Sequence, residues 1–129
     1  MTVTKGLEGI VATTSSISSI VDGVLTYRGY DIDDLAENAS FEETAYLLWF
    51  GSLPTSAELS VLRSNLSEFA PIPEQVIEQM KLYPKDTNTM AALRTAISSL
   101  ALYDDAADDM SREANEIKAV KLQAQLPTV

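Results

Sequence analysis

The chain has 129 residues, neither cysteine nor histidine, and a formal net charge of −10 from 9 basic and 19 acidic residues. A hydrophobic fraction of 46% fits one domain able to bury a core and argues against a disordered tail. The two missing residue types exclude disulfides, thiolate or imidazole metal sites and Ser-His-Asp or Cys-His catalysis, while the acidic balance disfavours nucleic acid and anionic membranes as partners.

The first thirty residues are rich in Thr, Ser, Ile, Val and Tyr. Asp22-Gly23 lies between two β-prone runs, and Asp-Gly readily takes the positive φ angles of a two-residue type I′ turn, so a β-hairpin is expected here. Helical signals begin after Tyr30. Asp33 or Asp34 is the expected N-cap of a short helix running through Asn38. Ser40 with Glu43 has capping-box spacing, and Gly51 closes that helix. Thr55 with Glu58 repeats the device after Pro54, and Leu59, Leu62, Leu66 and Phe69 then recur on one helical face until Pro71. Pro73 opens a shorter helix with Val76, Ile77 and Met80 inward, stopped by Pro84.

Asn88 is the expected N-cap of the next helix, whose apolar stripe is Met90, Leu93, Ile97 and Leu100. Beside it runs a stripe of small residues, Ala92, Ala96 and Ser99, which would let another helix approach closely. A last helix follows Ser111 and groups Ala114, Ile117, Val120 and Ala124. The chain ends on Leu126, Pro127 and Val129 without a polar tail, which predicts a further segment packing against it. No internal repeat is visible. No leader-like segment and no run of roughly 20 apolar residues occurs, so a soluble, cytoplasmic protein without a membrane partner is expected.

Several stretches imitate reaction sites. Asp104 to Asp109 contains Asp-Asp-x-x-Asp, a spacing that can hold magnesium. It lacks a second acidic motif and a basic cluster for a diphosphate, and reads better as a solvated helix end and loop. The segment Tyr30–Asn38 lacks the glycine and closing glutamate of a calcium loop. Glu42 and Glu43 point in different directions on a helix, and Glu43 already serves the cap. Tyr46, Leu47, Leu48, Trp49 and Phe50 form an apolar patch whose ordinary fate is the core. Arg28, flanked by Tyr27 and Tyr30, could clamp a carboxylate. Its acidic neighbours Asp31, Asp33 and Glu43 instead predict a joint between hairpin and helix.

The chain as a whole resembles the citrate synthases of Gram-positive bacteria. The resemblance is carried by Gly6-Leu7-Glu8-Gly9, by Tyr27-Arg28-Gly29-Tyr30-Asp31-Ile32, by Phe41-Glu42-Glu43, by Gly51-x-Leu53-Pro54-Thr55 and by Met90-x-x-Leu93. It implies a mainly all-α fold: a helical large-domain fragment, residues 1–129, with a hairpin region over 1–32, helices over 33–129 and the small catalytic domain absent. It also implies condensation of acetyl-coenzyme A with oxaloacetate, an acyl transfer in which the acyl group becomes alkyl, with 2-methylcitrate synthesis from propionyl-coenzyme A as the alternative. A stand-alone helical interaction module is the alternative of another class.

No covalently bound cofactor is implied; acetyl-coenzyme A is the substrate of the full enzyme. The family's catalytic aspartate and histidines match no position here, so no catalytic, cofactor-binding or metal residue is assigned. Asn88-Thr89-Met90 departs from the His-Pro-Met of many relatives, and Asn still suits the cap. The resemblance further implies a homodimer through the last two helices, with Met90, Ala92, Leu93, Ala96, Ile97, Ser99 and Leu100 at the interface.

Overall fold

A computed structural model describes residues 13–129. The Gly6–Gly9 opening lies outside the described residues. Three strands and six α-helices make up the described chain, which divides into two compact units meeting at Pro54 and Thr55. The change from strand to helix falls earlier, at Ile32.

The first unit opens on a three-stranded antiparallel sheet, β1 (Ser18–Val21), β2 (Val24–Tyr27) and β3 (Tyr30–Asp31), in the order β1-β2-β3. Val21 pairs with Val24 across the expected turn, where Asp22 and Gly23 have φ of 52° and 83°. A second tight turn of the same kind follows. Tyr27 pairs with Tyr30 around Arg28 (φ 50°) and Gly29 (φ 89°), so the expected hairpin is a three-stranded meander. Positive φ at both central positions matches the twist of the flanking strands. Arginine is an unusual residue to hold that conformation, because its Cβ crowds the following carbonyl.

Helix α1 (Ile32–Asn38) starts directly from β3, and its N-cap is Asp31, whose carboxylate accepts from the Asp33 amide at 2.9 Å. This corrects the expectation of a cap at Asp33 or Asp34. Those two residues sit in the first turn, where their negative charge favours the helix dipole. Helix α2 (Phe41–Phe50) has the full capping box: the Glu43 amide donates to Ser40 Oγ at 3.3 Å, and the Ser40 amide donates to the Glu43 carboxylate at 2.7 Å. Gly51, at φ 91°, ends it by donating to the Leu47 carbonyl.

The second unit is all-helical: α3 (Ser56–Phe69), α4 (Glu74–Lys81), α5 (Thr89–Leu100) and α6 (Arg112–Gln125), with a single 3-10 turn at Ala101–Tyr103. Helix α3 packs against α6, and α4 against α5. Thr55 and Glu58 form the second capping box; Asn88 and Ser111 cap α5 and α6 through the Ala91 and Ala114 amides. Leu62, Val76, Ala96, Leu100, Ala114, Val120 and Ala124 form the buried core. Ser99 is buried with them, its hydroxyl donating to the Thr95 carbonyl at 2.9 Å.

Two helices sit at a different rotation from that expected. On α5 the small residues Ala96 and Ser99 face the unit's own interior, and Met90, placed on the apolar stripe by spacing, is 68% exposed. On α6 Ala114, Val120 and Ala124 are inward, while Ile117 is exposed. Small side chains permit close packing inside the unit, and Met90 and Ile117 turn outward while Leu100 and Val120 stay in.

Candidate functional site

Each unit has a place where a charged side chain ties distant elements together: Arg28 in the first and the Lys121–Asp104 pair in the second. In the first, the guanidinium of Arg28 donates to Ser16 Oγ at 3.0 Å, to the Ser16 carbonyl at 3.3 Å and to the Leu48 carbonyl at 3.0 Å. Arg28 is therefore a joint between the meander and α2, as expected, but its partners are carbonyls and a hydroxyl. The acidic neighbours are used differently: Asp31 caps α1 and Glu43 caps α2.

The Leu48 carbonyl belongs to the last turn of α2, which carries no basic residue of its own. Arg28 supplies positive charge to that negative helix end from a distant turn. Its Nε is buried without a hydrogen-bond partner, so the side chain is fixed by packing as well as by its contacts. A carboxylate clamped here would compete with the contacts the guanidinium already makes to Ser16 and to the Leu48 carbonyl.

The apolar patch of α2 lies next to this joint. Leu47 is fully buried, the Tyr46 and Phe50 rings meet at a 45° tilt with centroids 4.5 Å apart, and Trp49 meets Phe50 edge-on at 6.4 Å. Phe50 remains 41% exposed, so the patch is core at Leu47 and surface at its far end.

In the second unit the acidic loop Asp104 to Asp109 is not simply solvated. Lys121 reaches back from α6 to both carboxylate oxygens of Asp104, at 3.1 and 3.2 Å. Lys118, one turn earlier, donates to the carbonyls of Ala107 and Asp109. Asp104 also accepts from the Ala106 amide, and Asp109 from the Ser111 amide at 2.8 Å. The Ala106 amide, followed by the Lys121 ammonium, holds the Asp104 carboxyl below its usual range; the Ser111 amide and hydroxyl do the same for Asp109. Sequence spacing missed both lysines because they lie on another element, although their three-residue separation on a helix was a usable signal.

This loop borders a cleft of about 280 Å³ between α3, the end of α5 and α6. Phe69, Ile97 and Leu122 are among its apolar lining, and Glu68, Asp104, Lys118 and Lys121 are its charged lining. Lys121 also lies 5.9 Å from the centroid of the Phe69 ring. Among the described residues no group of three or more acidic side chains is placed to hold a metal ion.

The seven residues expected at a dimer interface divide by exposure. Ala96, Ser99 and Leu100 are buried within the unit itself. Ala92, Leu93 and Ile97 are half-buried, and Met90 is exposed.

Comparison with known proteins places this geometry. Residues 6–129 match the family described as "Citrate synthase, C-terminal domain". The chain is 58% identical over 128 residues to Citrate synthase 2 of Bacillus subtilis, covering 98% of itself and 34% of that protein. It is 39% identical to 2-methylcitrate synthase 1 of Corynebacterium glutamicum, again covering 98% of itself and 34% of the relative. Among solved structures, the citrate synthase of Pyrobaculum aerophilum superposes with a TM-score of 0.82 at 29% identity, over 95% of this chain and 33% of that one. That of Thermotoga maritima gives 0.79 at 31%, over 96% and 32%. The chain spans about a third of the length of the relatives it matches and, with its meander, capped helices and family match over residues 6–129, belongs to the citrate synthase family.

Proposed function

We propose that this chain is a scaffold part of a citrate synthase, the enzyme that joins the acetyl group of acetyl-coenzyme A to oxaloacetate and, with water cleaving the thioester, releases citrate and free coenzyme A. The observation that carries the reading is the 58% identity, over nearly the whole chain, to a protein named Citrate synthase 2. The share proposed for these residues is structural. Enolising a thioester near neutral pH calls for groups that exchange protons there, and the chain holds no histidine. Its displaced carboxyls, Asp104 and Asp109, are displaced towards staying ionised, the wrong direction for a general acid or a strengthened base. No bound cofactor is needed; coenzyme A enters with the substrate. The proposed compartment is the cytoplasm.

A second reading, 2-methylcitrate synthesis from propionyl-coenzyme A, is favoured by the 39% and 40% identities to proteins of that name. Expressing the encoding reading frame from start to stop and comparing acetyl- with propionyl-coenzyme A decides between them. Preference for the acetyl thioester is expected, and preference for the propionyl thioester overturns the first reading.

The proposed partner is a second copy, met through α5 and α6. The side chains available for it are the exposed Met90 on α5 and Ile117 and Leu122 on α6, with the half-buried Ala92, Leu93 and Ile97 beside them. Ala96, Ser99 and Leu100 support that surface from beneath. Sedimentation at rising concentration should show association that Met90→Asp weakens. A monomer at every concentration overturns the proposal.

A further inference from the structure

We draw no further inference here: the strongest candidate, the cleft between α3, the end of α5 and α6, has its lysines already engaged by Asp104 and by the carbonyls of Ala107 and Asp109, and nothing in the structure shows what would occupy it.

Discussion

Replacing Arg28 by glycine and by alanine separates the two opposing effects at that residue. The native side chain sits at φ 50°, a left-handed conformation that costs a non-glycine residue roughly 1–2 kcal/mol. Against that cost stand the guanidinium bonds to Ser16 and to the Leu48 carbonyl. Hydrogen bonds from charged groups contribute about 1.5–3 kcal/mol when shielded and less when exposed. The bonds to Ser16 are exposed and the one to Leu48 is part-buried, so their sum is about 2–3 kcal/mol.

Arg28→Ala loses the bonds and keeps the strain, for a destabilisation of about 2–3 kcal/mol. Arg28→Gly loses the same bonds and relieves the strain, leaving about 0–2 kcal/mol. Glycine should therefore be the more stable of the two, against the usual order. Urea unfolding followed by fluorescence of Trp49, the single tryptophan, reads this unit directly, because Trp49 adjoins the Leu48 carbonyl. An alanine variant as stable as the glycine variant would refute the strain argument. Wild-type stability in both would refute the joint.

Leu47→Ala, at a fully buried site, should cost about 2–5 kcal/mol in the same titration, whereas Met90→Ala, 68% exposed, should change stability by less than about 0.5 kcal/mol. Ser40→Ala and Thr55→Ala each remove one arm of a capping box and should cost about 1 kcal/mol apiece, seen as a lower urea midpoint. Lys121→Met should cost about 1 kcal/mol or less, since both partners of its ion pair with Asp104 are partly exposed. Asp104 has its carboxyl lowered by the Ala106 amide and by Lys121, so its contribution is present above the unfolded value near 3.8 and fades as pH falls through the lower folded value. Acid titration of wild type and Asp104→Asn should accordingly converge only below about pH 4.

Much of the local structure was legible because it is written in short-range chemistry. Ser40 with Glu43, Thr55 with Glu58, Asn88, Ser111, Gly51 and Asp22-Gly23 each satisfy or shape the backbone within a few residues of themselves, and each does so in the fold. What escaped either carried no local signature or depended on partners far along the chain. Arg28-Gly29 is a turn because Tyr27 and Tyr30 pair across it, and arginine carries no turn signature to reveal that. Asp31 displaced Asp33 and Asp34 as the cap because α1 begins at Ile32, directly after the short third strand, which spacing did not reveal. The rotation of α5 followed from intramolecular packing, which turned Ala96 and Ser99 inward and Met90 outward. The acidic loop drew its cations from a helix 17 residues away, in the Lys121–Asp104 pair. The reaction class came from the resemblance, since the candidate side chains are spent on caps, joints and a loop anchor.

Release of coenzyme A thiol from acetyl-coenzyme A in the presence of oxaloacetate tests the central claim most directly, run side by side on the 129-residue chain and on the product of the encoding reading frame. The scaffold reading predicts no release above the blank from the chain and oxaloacetate-dependent release from the frame's product. Condensation by the chain alone would contradict it.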